Sequence, residues 1–157
     1  MPPQLLFDIS ALDLGHLKLD QEAIRKVNPQ RGAMEHLNGI IRLDVPTNEI
    51  LGFKDVRADE FWVAGHIPGR PLLPGVIMIE AAAQLASLFT HFACGWEGFI
   101  GFGGVKDVKF RAPVTPGCRM YLLGKKTWER HRRLGCATQG IVNGNVVFEA
   151  EVIGTVV

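Results

Sequence analysis

A chain of 157 residues is long enough for one domain with a substantial core and short for two. Its 17 Lys and Arg against 16 Asp and Glu leave a formal charge of +1, so no global field concentrates it on nucleic acid or an anionic membrane surface, and neither is expected as a partner. The three cysteines, Cys94, Cys118 and Cys136, have no C-x-x-C pairing; with no basic region leading into an apolar run after Met1, they read as buried thiols of a cytoplasmic protein.

In chain order, residues 1–28 are a mixed leader to which the sequence assigns no role; Asp20 is placed to cap a short helix, Gln21–Val27, that has to end before Pro29. His36–Asp44 and Glu49–Val56 read as a strand pair joined by the turn-forming Val45-Pro46-Thr47-Asn48. A helix is expected from about Pro74 to Phe92, with Pro74 and Gly75 in its first turn. The run Leu72–Cys94 approaches the length of a membrane span, but Glu80 in its middle would be costly in lipid, so a helix buried on every side is expected instead. After Gly95, Gly98, Gly101, Gly103 and Gly104, a strand is expected that begins at Val105 and ends at Ala112-Pro113, a second from Arg119 to Trp128, a turn at Arg130–Gly135, and two more strands, Leu134–Val142 and Val146–Val156, about the hairpin dipeptide Asn143-Gly144. One apolar helix and five or six antiparallel strands make a single α+β domain over residues 29–157, its sheet wrapped round the helix. The alternation Val146, Phe148, Ala150, Val152 turns one face of the last strand toward the helix and leaves the other for solvent or another subunit.

The chemistry concentrates in Gly65–Gln84, G-H-I-P-G-R-P-L-L-P-G-V-I-M-I-E-A-A-A-Q. His66 lies in a Gly/Pro-rich turn too stiff to be helical. The helix that follows has Gly75 and Val76 at its start, where free N–H groups can polarise a carbonyl oxygen. Glu80 is one to two turns inside, with no compensating charge among its neighbours, and Gln84 at i+4 shares its face and can orient the carboxyl. A base, an acid and an oxyanion donor suit proton abstraction alpha to a carbonyl followed by loss of a hydroxyl. The residues alone equally allow a turn histidine and a buried glutamate paired with Gln84. A nucleophilic site is weaker, since Ser87 and Cys94 have no evident partner and no G-x-S-x-G occurs. No metal is expected: His16, His36, His66, His91 and His131 lack ligand spacing.

This segment resembles the β-hydroxyacyl-acyl carrier protein dehydratases of fatty acid synthesis, FabZ type, which share the hot-dog fold. The family hallmark G-H-F-P-G-x-P-x-x-P-G-V-x-x-x-E-A-x-A-Q is matched with Ile67 in place of phenylalanine. The run from Gly104 to Gly117 resembles the family's R-x-P-V-x-P-G segment, and Asn143–Ala150 its last hairpin. The resemblance implies a dehydratase that needs no cofactor and acts on an acyl carrier protein- or coenzyme A-bound (3R)-3-hydroxyacyl thioester. His66 would be the base at C2, Glu80 the acid for the C3 hydroxyl, the Gly75 N–H the thioester-carbonyl donor, and Gln84 the residue that holds Glu80. Related dehydratase-isomerases carry aspartate at the Glu80 position, which argues for a plain dehydratase. The resemblance also implies a homodimer whose sites combine His66 of one copy with Glu80 of the other, three dimers often forming a hexamer.

Two departures stand out. Pro29-Gln30-Arg31-Gly32-Ala33-Met34 replaces the family's P-H-R-Y-P-F and loses its aromatic pair, and Phe99 and Phe102 occupy the region of the family's tunnel-gating tyrosine. Basic residues at Lys125, Lys126 and Arg130–Arg133, and at Lys106, Lys109, Arg111 and Arg119, are candidate contacts for an acidic carrier protein. The other readings on this fold are a non-catalytic acyl-binding module, a thioesterase and an enoyl-CoA hydratase.

Overall fold

The computed structural model describes residues 3–157, so Met1 and Pro2 of the leader lie outside it. Helix α1 (Gln21–Arg25), capped by the Asp20 carboxylate on the Ala23 N–H at 2.9 Å, precedes a single 3-10 turn at Gly32–Met34. Strands β1 (Gly39–Asp44) and β2 (Glu49–Val56), the long helix α2 (Gly75–Cys94), and strands β3 (Ile100–Phe110), β4 (Cys118–Arg130), β5 (Arg133–Val142) and β6 (Asn145–Val156) follow. All six strands pair antiparallel in the order β1-β2-β4-β5-β6-β3, and the sheet curls round α2 in the α+β hot-dog arrangement. Two-residue turns close the last hairpins: His131-Arg132 (φ 52° and 58°) and Asn143-Gly144 (φ 51° and 79°) take the positive φ that matches strand twist.

Several boundaries differ from the sequence expectation: α1 ends at Arg25 rather than Val27, β3 ends at Phe110 rather than at Ala112-Pro113, and three more differ for plain physical reasons. β1 starts at Gly39 rather than His36, because the His36 N–H is donated to the Gln84 side chain and not to a neighbouring strand. β3 starts at Ile100 rather than Val105: Gly101 and Gly104 pair with Thr155 and Ile153 of β6, and the ladder overrides the low strand preference of glycine. The turn expected over Arg130–Gly135 shrinks to two residues because pairing runs out to Arg130 and Arg133.

Along β2, Ile50 and Val56 face α2 while Leu51 and Phe53 face the other way, as two-residue periodicity requires. On α2, Met78, Ala81, Ala82, Leu85, Leu88 and Phe89 are buried at helical spacing against the sheet. By length and composition α2 would suffice to cross a membrane, but this stripe is the sheet's core partner. The helix is not buried on every side, contrary to expectation. Val76 and Phe92 are exposed, and Ile79, Ala83 and Ser87 only half-buried, because an open sheet covers one side of a helix.

The leader, to which the sequence assigned no role, covers much of the sheet's outer face. Phe7 packs on Ile41, Leu51, Phe53, Leu123 and Ile141, flanked by Leu5, Leu6, Ile9, Leu12 and Leu14. Buried Gln139 clamps the segment, its Oε1 accepting from the Leu6 N–H at 2.9 Å and its Nε2 donating to the Gln4 carbonyl at 2.8 Å. Leu19 bridges to Ile40, extending the sheet beyond β1. Over β1, β2, β4 and β5 the outer face therefore meets its own chain; of the last strand Val146 joins this cluster, whereas it was expected on the helix side, where Val147 packs instead.

Candidate active site

His66 sits in the turn-rich segment that enters α2. Its N–H donates to the Trp62 carbonyl at 2.8 Å, its carbonyl accepts from the Leu72 N–H at 2.9 Å, and its Nδ1 lies 2.8 Å from the Leu72 carbonyl oxygen. A carbonyl oxygen can only accept, so Nδ1 carries a ring hydrogen, and whenever the imidazole is neutral the lone pair is on Nε2. The ring lines an open cleft of about 590 Å³ together with Leu72, Gly75, Val76, Ile79 and Phe110.

The start of α2 points its donors into the same region. Ile77 and Met78 N–H groups both donate to the Pro74 carbonyl, at 2.9 and 3.2 Å, which leaves the Gly75 and Val76 N–H groups without an acceptor among the described residues. A cleft rim with two free helix-terminal donors is suited to a carbonyl oxygen that gains negative charge. A Cβ at Gly75 would lie 2.7 Å from Cζ of Phe110, so any larger residue there has to push that ring aside.

Glu80, half-buried, faces a different cavity, of about 240 Å³, with Gln30, Gln84, Ser87, Phe99 and Phe102 on its walls. Gln84 is buried and every polar atom of its amide is used. Nε2 donates to Glu80 Oε1 at 2.9 Å and to the Met34 carbonyl at 2.7 Å, and Oε1 accepts from the His36 N–H at 3.0 Å. A side chain bonded at three points cannot turn, so it fixes one oxygen of the Glu80 carboxyl. Phe99 and Phe102, each about half exposed, stand at the cavity mouth.

Within one chain the fold thus sorts the candidate residues into two groups. His66, Gly75 and Val76 share one cleft; Glu80, Gln84, Phe99 and Phe102 share another. Sequence reasoning missed several contributors. Leu72 anchors His66 only through its main chain, which leaves no side-chain signature. Gln30, noted only as part of an altered motif, lines the Glu80 cavity with its Oε1 buried and unpartnered among the described residues. The altered segment still serves the site: its Met34 carbonyl holds Gln84, and Arg31 ties the loop down through the carbonyls of Arg25, Asn28 and Gln30. Of the basic candidates, Lys106, Arg111 and Arg119 are ion-paired with Glu151, Glu149 and Asp55, and Lys125 and Lys126 with Glu49 and Glu129.

Residues 28–151 match the family model described as the FabA-like domain. The chain belongs to the FabA-like family. Among curated members, the 3-hydroxyacyl-(acyl-carrier-protein) dehydratase FabZ of Geobacter metallireducens is 33% identical over 140 residues, 87% of this chain and 92% of that one. The protein of the same name from Desulfotalea psychrophila is 30% identical over 141 residues, 88% and 93% of the two chains. The solved structure of the dehydratase heterocomplex ApeI:P from Xenorhabdus doucetiae shares the fold with a TM-score of 0.72, covering 85% of this chain and 90% of that one at 14% identity. The FabA-like match stops short of the chain's first 27 residues, so the leader that covers the sheet lies outside it.

Proposed function

We propose that this protein is a hydro-lyase of fatty acid synthesis that removes water from a (3R)-3-hydroxyacyl thioester on acyl carrier protein, giving the trans-2-enoyl thioester. The observation that carries the reading is the tautomer imposed on His66: a base with its lone pair free, in one cleft with two unpaired helix-terminal N–H groups. The substrate is the one named for the FabZ relatives. His66 Nε2 takes the C2 proton while Gly75 N–H, with Val76 N–H beside it, stabilises charge growing on the thioester oxygen. Glu80, oriented by Gln84, gives its proton to the C3 hydroxyl, which leaves as water.

Because His66 and Glu80 face different cavities in one chain, the reaction is assigned to a homodimer that joins the His66 cleft of one copy to the Glu80 cavity of the other. The free edge of β3 and the uncovered side of α2 with Val76 and Phe92 supply surface for that contact, and three such dimers assemble into a hexamer in the fullest form of the proposal. The free thiols Cys94, Cys118 and Cys136 suit a cytoplasmic setting.

The test is interconversion of hydroxyacyl and enoyl thioesters, followed by the absorbance of the conjugated thioester, on carrier-protein and coenzyme A substrates of several chain lengths. Turnover is expected in wild type and lost in His66→Ala. Equal rates in the two proteins would leave a module that holds acyl chains without reacting them. Glu80→Gln is expected to cost about 10²-fold or more, as loss of a general acid does; near-normal rates would remove Glu80 from the mechanism.

A further inference from the structure

Neither cleft contains Lys54, Glu60 or His36, yet these three make the most deeply buried ionisable cluster described. Lys54 is 1% exposed on the α2-facing side of β2, where its strand neighbours Ile50 and Val56 are apolar core residues. A buried ammonium is costly unless it is paired and hydrogen-bonded. Its Nζ donates to Glu60 Oε1 at 2.6 Å and to His36 Nδ1 at 3.1 Å. The other Glu60 oxygen accepts from the Arg57 N–H at 2.8 Å. An ammonium cannot accept, so His36 Nδ1 is the lone-pair nitrogen of a neutral ring. Burial first, and then the Lys54 charge, hold His36 down at about 4, which keeps the ring an acceptor through the neutral range.

Two chains of bonds leave this cluster, one to each half of the chemistry. The His36 N–H donates to Gln84 Oε1 at 3.0 Å, and Gln84 Nε2 donates to Glu80 at 2.9 Å. On the other side, Glu60 opens the turn that ends at His66: its carbonyl accepts from Val63 N–H at 3.2 Å, and the Trp62 carbonyl accepts from the N–H groups of Gly65 and His66 at 3.2 and 2.8 Å. The segment before β1 and the segment before His66 are thereby tied to one side chain of β2.

We propose that the Lys54–Glu60–His36 cluster is a positioning device, a buried brace that sets where Glu80 and His66 stand and so tunes the rate without touching substrate. The inference rests on the dehydratase reading for its kinetic consequence, while its geometric part stands apart from it. Misplacement of a reacting group by 1 Å costs about 10²-fold in rate. The brace therefore acts on kcat, while the acyl-binding walls, which contain none of the three residues, leave KM alone.

The test is the paired replacement Lys54→Met with Glu60→Gln, which removes both charges together and leaves no unpaired buried ion. The variant is expected to fold with a melting temperature near wild type and to lose about tenfold or more in kcat with KM within about twofold. A folded double variant with wild-type kcat, or one whose loss lies in KM, overturns the proposal. If the double variant does not fold, His36→Leu reads the same link, since it removes the Nδ1 acceptor of Lys54 and keeps the main-chain N–H that bonds Gln84; an unchanged kcat there is equally fatal. A readout free of turnover comes from the Gln84 side-chain amide, whose bonds to Met34 and Glu80 predict a slowly exchanging pair of 1H–15N signals in wild type. Those signals are expected to move toward a free, fast-exchanging amide in either variant, and unmoved signals refute the brace. Amide signals that move in a protein whose wild type turns over no hydroxyacyl thioester would overturn the dehydratase reading and leave the brace geometry standing.

Discussion

Replacing Gly75 by alanine separates the shape of the helix start from its hydrogen-bond donors, because alanine keeps the N–H. The new Cβ would lie 2.7 Å from Cζ and 2.8 Å from Cε1 of Phe110, against ordinary carbon contacts of about 3.5–4.0 Å, so something has to give by about 1 Å. The helix start is held through the Pro74 carbonyl, whereas Phe110 is half exposed and only stacks on Phe148 with centroids 5.8 Å apart. The ring moves. Losing the stack costs about 0.5–1.5 kcal/mol and residual crowding about 1 kcal/mol, while alanine in place of glycine returns about 1 kcal/mol of helix preference. The net loss of about 1 kcal/mol lowers the melting temperature by roughly 2–4 °C in a domain of this size. Activity is hit harder. The displaced ring shares the cleft with His66, so kcat/KM is expected to fall about 10²-fold while calorimetry registers a small change. A folded Gly75→Ala protein within about threefold of wild-type kcat/KM would refute the argument that Phe110 and the helix start are packed to shape the cleft.

Three further outcomes are expected. Mixing His66→Ala with Glu80→Gln copies, each inactive alone, should restore about a quarter of wild-type activity, the statistical share of intact sites when a two-fold dimer completes each site across its interface; no recovery after subunit exchange would place both residues in one chain's site. Phe7→Ala should destabilise the fold by about 3 kcal/mol, because it empties the outer-face cluster, with denaturant midpoint as the measure and an unchanged midpoint as the contrary result. Stability should also fall on the acid side. His36 sits at about 4 in the folded chain against 6.5 ordinarily, so the unfolded chain binds the proton first, and the stability present above pH 6.5 declines as pH drops toward 4. Glu60, held below the ordinary carboxylate range by Lys54 despite its burial, adds a further loss below about pH 4.5. Denaturant midpoints across this window should show a shallower decline between pH 6.5 and 4 in His36→Leu; an identical profile would exclude His36 as its source.

The functional segment is legible in the chain because its parts are local. His66 in a proline-bounded turn, Gly75 at a helix start, and Glu80 and Gln84 one helical turn apart are set by neighbours in sequence, and the structure finds the Glu80–Gln84 bond that the i+4 spacing implies. Strand periodicity and Asn143-Gly144 likewise mark the last hairpin. Less of the glycine-rich stretch after Gly95 is legible, since Gly101 and Gly104 become strand only by pairing with β6.

What the sequence determines by itself has short-range causes: a histidine in a stiff turn, a glutamate with a glutamine one helical turn on, the helix-terminal donors, and an α+β chain with one apolar helix. What only the tertiary structure decides is everything that depends on which distant residues meet. Gln84 is locked by His36, 48 positions away, and the leader is clamped by Gln139, 133 positions from Leu6. Lys54 reads as an ordinary charged residue until its burial beside Glu60 and His36 is known. His66 and Glu80 share one motif yet face separate cavities, because a turn and a helix side project neighbouring residues in different directions. Burial and pairing energies belong to contacts in space, and a linear pattern carries them only where the contact is local.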